Sequence, residues 1–585
     1  MPKAVQELRQ FVTQEFDAQW RKFQEDATRL LKERVERGTC LDGLIFQGVD
    51  DRGRARFRHA GNDSRLREGD MVRLSQDTPL TGIQASLYRE ELGELWLWRE
   101  SGFSAEMFAG QASGWVIDED FADLREHYFG AFEELLCSKI GQERILPLLE
   151  GSVEPTQDDE VFAEVLDELD EVAAEGKPWE EAQETSIAGA VAAEHCYLVQ
   201  GPPGTGKTHV LAEVAARLVE RGERVLVTAF THRAIDNALE AVAKRIGDHT
   251  KVARLQAPTH RRGEGYDSYE HFDQSPLFGT SGWVVGATPF ALRKRVGNGV
   301  QFDTVIIDEA GQMTTALATM AMLWARKYVF FGDQQQLGPV VVSRSRRDAR
   351  DFGIFHTLKR QELGGSMLDV TYRLNDTLTR WPSENFYHGK LAPARSAAMR
   401  RLAWNSPSPH TETWLKEALA PESPLVWIDT PAGDSTTVNY AEVVLATELL
   451  QGLVGGGVRH EEIAVVTPYR RQAREIRNRL EQTHPSRQWR ECVMDTVERM
   501  QGQEREVIIL SLCAASVDFV TRPQQFEFLF DPRRLNVSST RARTKLIILG
   551  STTLTGLHSD DPDEHEDIML LRSLREAAVR ITASA

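Results

Sequence analysis

Cysteine is scarce in this 585-residue chain: there are five, Cys40, Cys137, Cys196, Cys492 and Cys513, odd in number and far apart. A disulfide framework, a C-x-x-C zinc site and a four-cysteine iron–sulfur cluster are therefore disfavoured. Long apolar runs are lacking too. They stop short of the ~18–20 residues that span a bilayer, so no membrane helix is expected. Met1–Glu7 shows no apolar core of a signal peptide. An excess of positive charge is also missing. The chain sets 69 Lys and Arg against 88 Asp and Glu, net −19, which speaks against nonspecific polyanion binding by the whole molecule. What remains is an ordinary globular composition, 41% hydrophobic and 27% charged, in a chain too long for one core. The expectation is a soluble, cytoplasmic, multi-domain protein whose only metal is the one a nucleotide brings.

The charge is uneven. Glu154–Glu184 is crowded with carboxylates and reads as a solvated helix face and linker. Basic clusters stand at Arg470-Arg471, Arg533-Arg534 and Arg541-Ala542-Arg543, so the global sum does not decide the question of nucleic-acid binding.

Val5, Leu8, Val12, Phe16, Trp20, Phe23, Ala27, Leu30 and Leu31 recur at helical spacing and predict one helix to residue 38, on the order of 50 Å long. Its polar face mixes both signs, which favours a packed stalk over a helix lying on a membrane. Over 39–119 the pattern shifts to short alternating runs. Leu44–Phe46 and Ala55–Arg58 flank the turn Asp50-Asp51-Arg52-Gly53, and Met71–Leu74 and Trp115–Ile117 follow as further strands of a small β-barrel. Trp96 and Trp98 share one strand face, and barrel core is preferred to base stacking for both. Helical spacing resumes at Phe121, Leu124, Tyr128, Phe132 and Leu136, so the barrel is inserted between two stalk helices.

From Gln183 onward, buried-strand runs alternate with helices: Cys196–Val199, Val225–Val227, Val284-Val285, Val305–Ile307, Val329–Phe331, Ile463–Val466, Val507–Leu510 and Leu546–Leu549. This predicts an α/β chain with two parallel sheets covered on both faces. The expected units are a stalk helix (1–38), a barrel (39–119), a second stalk helix with an acidic linker (120–180), a first lobe (181–350) and a second lobe (351–585). After Leu557 the chain is acidic, then helical around Ile568–Ile581.

Gly201-Pro202-Pro203-Gly204-Thr205-Gly206-Lys207-Thr208 follows a strand and opens a helix, the context a phosphate loop requires. Backbone N–H groups cradle phosphates, Lys207 reaches the β/γ oxygens, and the Thr208 hydroxyl ligates Mg²⁺. At the end of a later strand, Asp308 would hold Mg²⁺ and Glu309 would activate the attacking water. These are the parts of a nucleoside-triphosphatase. The Lys-Thr ending excludes a dinucleotide-binding turn, and two sheets suggest a nucleotide held between lobes.

Further motifs make the chain resemble superfamily 1 helicases of the B branch, the group of the nonsense-mediated-decay helicase and its immunoglobulin-switch relative. Asp308-Glu309-Ala310-Gly311-Gln312, Gly332-Asp333-Gln334-Gln335-Gln336-Leu337-Gly338-Pro339, Gln501-Gly502-Gln503-Glu504 and Leu535–Arg543 match its motifs. The resemblance implies two RecA-like lobes and ATP as substrate. It assigns adenine reading to Gln183, adenine stacking to Tyr372, ribose contact to Glu504 and γ-phosphate sensing to Gln336. Arg373 and Arg541 become arginine fingers from the second lobe. Strand contacts are implied for Thr231, His232, Thr288 and Pro289 on the first lobe, and for Thr467, Pro468, Tyr469 and Thr496 on the second. The implied activity is a helicase or translocase on single-stranded DNA or RNA, moving 5′→3′. The alternative is a nucleic-acid-stimulated ATPase that remodels complexes without unwinding. Thr371, Leu374, Glu498 and Met500 depart from common family residues but leave the hydrolytic set whole. The family's zinc module is missing, and no nuclease module is seen.

Overall fold

The structure is a computed structural model that describes residues 1–585 except 63, 92, 175–177, 257–262, 298, 345–348, 362, 406–411 and 584–585. The first helix, Lys3–Ala27, buries Val5, Leu8, Phe11, Val12 and Phe16 against Ala131, Phe132 and Leu135 of the second stalk helix, Arg125–Cys137. It ends ten residues or so before the expected stop, giving a strut of about 37 Å. Thr28–Leu30 break the helix, and a short one, Leu31–Glu36, swings toward the barrel. The break lets Arg34 pair with the buried Asp118 and donate to Asp77 O at 2.8 Å. The stalk is seated on the first lobe. Phe11 stacks on Phe352 at 4.4 Å, and the Glu15 carboxylate accepts from Val342 N and Ser343 N at 2.9 Å.

The barrel is closed and six-stranded, in the order Cys40–Val49, Ala55–Arg58, Glu94–Trp98, Ile83–Glu91, Met71–Ser75, Trp115–Glu119. Along Glu94–Trp98 it is Leu95 and Leu97 that point inward, fully buried with Phe57 and Leu87. Trp96 and Trp98 face out, half-buried, with Arg89 over the Trp96 ring at 5.6 Å. The preferred core role for these tryptophans is thereby corrected. Both faces of that strand are apolar, and register selected the leucines.

Two parallel sheets follow. The first has eight strands in the order Asp267–Tyr269, Val252–Leu255, Trp283–Gly286, Arg224–Ala229, Thr304–Asp308, Lys327–Gly332, Cys196–Gln200, Gly365–Met367. Since Gly365–Met367 pairs with Cys196–Gln200, the first lobe reaches past residue 350, and the change of lobe falls after Met367. The second sheet has six strands: Val493–Thr496, Ile463–Thr467, Arg505–Ser511, Ala542–Ser551, Leu425–Thr430, Val579–Ile581. The last of these replaces the end of the expected C-terminal helix, which stops at Ala577.

The acidic stretch is not a linker. Its helix Asp159–Ala174 sinks Val165 and Leu169 into the first-lobe core. On its other face Glu168 pairs with Arg217, and Glu164 and Glu168 with Arg221. Among the described residues no helix is long and apolar enough to cross a membrane.

Candidate active site

All strands of a parallel sheet end on the same rim, so the loops that follow them are neighbours whatever their separation in sequence. In the first lobe the loops after Cys196–Gln200, Thr304–Asp308 and Lys327–Gly332 bring together the phosphate loop, the carboxylate pair and Gln336. The loops after the adjacent strands carry Thr231 and Thr288.

The phosphate loop turns through Gly204 and Gly206, at φ 75° and 80°, a region that favours glycine. A side chain at Gly204 would also stand 2.3 Å from Arg373 Cβ. The helix Lys207–Glu220 then begins. Lys207 Nζ donates to Glu309 Oε1 at 2.7 Å and lies 3.0 Å from Asp308 Oδ1. Burial works against the ammonium, but the two carboxylates hold its pKa above the ordinary lysine value. Burial pushes Asp308 up, whereas for Glu309 the Lys207 charge and hydrogen bond outweigh burial and hold it down. Glu309 sits at φ 51°, a left-handed conformation that costs a non-glycine residue about 1–3 kcal/mol. Gln312 Nε2 donates to its Oε2 at 2.9 Å and fixes the carboxylate.

The second lobe closes the site. Arg541 is 2% exposed and donates to Val537 O at 2.9 Å and to Gln336 Oε1 at 3.1 Å. Burial, with the nearby charge of Arg373, pushes it down to about 9. Gln336 Nε2 in turn donates to Asp333 at 2.9 Å. The hydroxyl of Tyr387 donates to the same carboxylate at 2.8 Å, and Asn536 donates both to that hydroxyl and to Gln335 O. A buried polar network thus runs from Gln336 into the second lobe. Arg373 pairs with Glu504 at 2.6 Å and donates to Thr540 O, yet its segment is fastened to the first lobe. Tyr372 N donates to Gly204 O and Thr371 Oγ1 to Pro203 O, both at 2.8 Å. It belongs to the hinge and not to the second lobe alone.

Residues 201–209, Glu309, Gln336, Arg373, Gly502, Glu504 and Arg541 line one cleft of about 400 Å³. Thr208 on the cleft wall and Asp308, buried just behind Lys207, offer hard oxygens, the donor type Mg²⁺ takes together with phosphate and water. Tyr372 stands at the mouth, 38% exposed, its hydroxyl donating to Glu180 at 3.2 Å. Gln183 is buried behind the loop. It accepts from Glu180 N and donates to Thr205 O at 3.1 Å, so its amide braces the phosphate loop. Trp179 stacking on His209 at 4.5 Å is an addition that no sequence motif marks.

The residues for which strand contacts are implied lie on the rims, apart from the cleft. Thr231 and Thr288 cap helices by accepting from Ala234 N and Ala291 N, which leaves each hydroxyl proton to donate. Pro289 opens the second of those helices. His232 Nδ1 meets Arg254 NH2 at 2.8 Å. A guanidinium only donates, so this nitrogen accepts and Nε2 carries the ring proton. Arg254 itself is wholly buried, held by Asp236, Leu255 O and Gly286 O. Phe230, 49% exposed beside Thr231, was not foreseen. On the second lobe Thr467 and Pro468 are buried, and the Thr467 hydroxyl is spent on Tyr469 O, so these two shape the turn. Tyr469 stacks on Phe528 at 5.2 Å, and Thr496 starts the next helix.

Two family models, each described as an AAA domain, match residues 178–274 with 283–344 and residues 352–553. The chain is 29% identical over 389 residues to the DNA replication ATP-dependent helicase/nuclease DNA2 of Mus musculus, across 61% of this chain and 35% of that one. It is 27% identical over 438 residues to the DNA polymerase alpha-associated DNA helicase A of Schizosaccharomyces pombe, across 63% of each. The chain thus spans about a third of the first relative and under two thirds of the second. The solved arterivirus nonstructural protein 10 (helicase) aligns at a TM-score of 0.37 and 14% identity, covering 89% of this chain and 80% of that one.

Proposed function

We propose, from its membership of the superfamily 1B helicases, that this chain hydrolyses ATP between its lobes and so moves 5′→3′ along single-stranded nucleic acid. The observation that carries the proposal is the Arg541–Gln336 contact, which joins a second-lobe cation to the first-lobe sensor beside Lys207 and Glu309. ATP would draw Lys207 from the carboxylates onto the phosphates. Thr208 and Asp308 would hold Mg²⁺, which neutralises phosphate charge when bound. Glu309 takes a proton from water as its oxygen attacks the γ-phosphorus and the bond to the bridging oxygen breaks. Arg541 and Arg373 stabilise the charge that develops, with Glu504 positioning Arg373. Loss of the γ-phosphate removes the ligand of Gln336, and the network through Asp333, Tyr387 and Asn536 passes that loss to the second lobe. Thr231, His232 and Thr288 supply donors to strand phosphates from one lobe, and Tyr469 and Thr496 support the strand on the other.

The named relatives are DNA helicases, so DNA is the first track to test. The test is steady-state ATP hydrolysis alone, with oligo-dT and with oligo-rU, beside Glu309→Gln. Stimulation by a polymer, lost in the variant, is the expected result. Hydrolysis indifferent to both polymers would refute the motor. Duplexes with a 5′ or a 3′ overhang then test direction; stimulated hydrolysis without strand separation on either would favour remodelling.

A further inference from the structure

The segment Thr467-Pro468-Tyr469 runs straight into the helix Arg470–Thr483, whose residues Arg470, Arg474 and Arg477 fall on one face, with Arg471 beside them. Cations at a helix N-terminus face the positive end of its dipole, so this placement is unfavourable for the isolated helix. This face lines a gap of about 170 Å³ together with Glu36 and Arg37 at the end of the short helix Leu31–Glu36, Asn62 and Ser64 of the barrel, and Asp495 and Arg499 of the second lobe. The carboxylates do not balance these charges. Arg499 pairs with Asp495 at 2.9 Å and Arg37 with Asp26 at 3.4 Å. Arg67, Arg470 and Arg471 form no ion pair among the described residues. Burial and the charges of Arg499, Arg67 and Arg65 push Arg470 down to about 10, a direct expression of this crowding. The Arg499 Nε is buried without a partner.

Like charges gathered from two bodies on either side of a gap are tolerated where an anion joins them. We propose that the cleft between the barrel base and the second lobe is a phosphodiester-binding extension of the strand path, which ties barrel to lobe only when nucleic acid is present. This rests on the strand-tracking function proposed above. Arg470 and Arg471 supply two backbone contacts beyond Tyr469 and Thr496, so only a strand long enough to leave the lobes reaches them.

The test uses the full chain and fluorescence anisotropy with oligo-dT and oligo-rU of 8 and 20 nucleotides, between 50 and 200 mM salt. In the Arg470→Ala, Arg471→Ala double variant the 20-mer is expected to bind at least tenfold more weakly, with a salt slope shallower by roughly 1.4 for two single-strand phosphate contacts. The 8-mer changes less than twofold. The matching double lysine variant keeps most of the 20-mer affinity. Equal losses at both lengths, no loss at either, or a lysine pair as weak as the alanine pair would overturn the cleft while leaving the motor standing. Failure of the unaltered chain to bind any oligomer would overturn both.

Discussion

Replacing Glu309 by glutamine should separate nucleotide binding from turnover. Lys207 reaches Glu309 at 2.7 Å, a gross attraction of about 6 kcal/mol at an effective dielectric near 20. Desolvation removes most of this, and a hydrogen bond to a charged partner keeps about 1.5–3 kcal/mol. The glutamine oxygen can still accept from Lys207 at roughly half that strength. Withdrawing Lys207 onto phosphate then becomes easier by about 0.8–1.5 kcal/mol, a roughly four- to twelvefold tighter Kd for ATP. The charge facing the incoming phosphates also falls, which acts in the same direction. Turnover moves the opposite way. Without a base for the attacking water, kcat should drop about 10²–10⁴-fold, and Gln312, which donates to the Glu309 carboxylate, must turn its amide to accept from the new Nε2. A fluorescent-nucleotide titration beside a coupled hydrolysis assay reads both quantities. A weaker Kd, or a kcat reduced less than tenfold, would refute the pairing of Lys207 as the obstacle to binding and Glu309 as the base.

Alanine at Arg541 is expected to cost about 10³ or more in nucleic-acid-stimulated turnover with a smaller change in KM, and stopped assays of the variant beside Arg373→Ala compare the two fingers. In the barrel, Leu97→Ala should cost about 2–5 kcal/mol, whereas Trp98→Ala should cost less than about 1 kcal/mol because its ring faces outward; equal losses of thermal stability would contradict the register. Lys545, wholly buried and donating to Ala420 O at 2.8 Å and to Ser423 O, is pushed by burial down to about 7. Its folded-state pKa lies below the unfolded value, so its contribution is present above about pH 10.4 and is lost as pH falls toward 7. Urea midpoints measured from pH 7 to 10 should rise with pH more steeply in the unaltered chain than in Lys545→Met; parallel profiles would show the lysine charged when folded.

Most interior strands were legible because runs such as Val305–Ile307 and Leu546–Leu549 are buried on both faces and carry an unbroken apolar signal, though the interior strand Leu425–Thr430 was not foreseen. Edge strands lacked it. Asp267–Tyr269, Gly365–Met367 and Val579–Ile581 are three residues long and partly exposed, and only their partners make them strands. Val252–Leu255 was hidden by Arg254, a charge whose burial depends on Asp236 and on carbonyls distant in sequence. In Glu94–Trp98 both alternations are apolar, so the pattern could not tell core from surface. That Lys207, Glu309, Gln336 and Arg541 would meet was readable because each sits at a strand end inside a short motif. Supporting contacts were not, since Gln183–Thr205 at the phosphate loop, Arg254–His232 at the rim and Glu15–Val342 at the stalk join residues from 22 to 327 positions apart.

The two arginines of the site answer to different bodies, and this sets an order of events. Arg541 rides on the helix-to-strand junction of the second lobe, so any opening of the cleft withdraws it from Gln336 at once. Arg373 is moored through Tyr372 N and Thr371 Oγ1 to the phosphate loop, and it stays beside the nucleotide until its own salt link to Glu504 stretches. A half-open motor would therefore already have switched off hydrolysis while keeping its grip on the spent nucleotide. In the motor proposed above, the hinge would act as an escapement, releasing chemistry first and cargo second, so that a stroke once taken would not readily run backward.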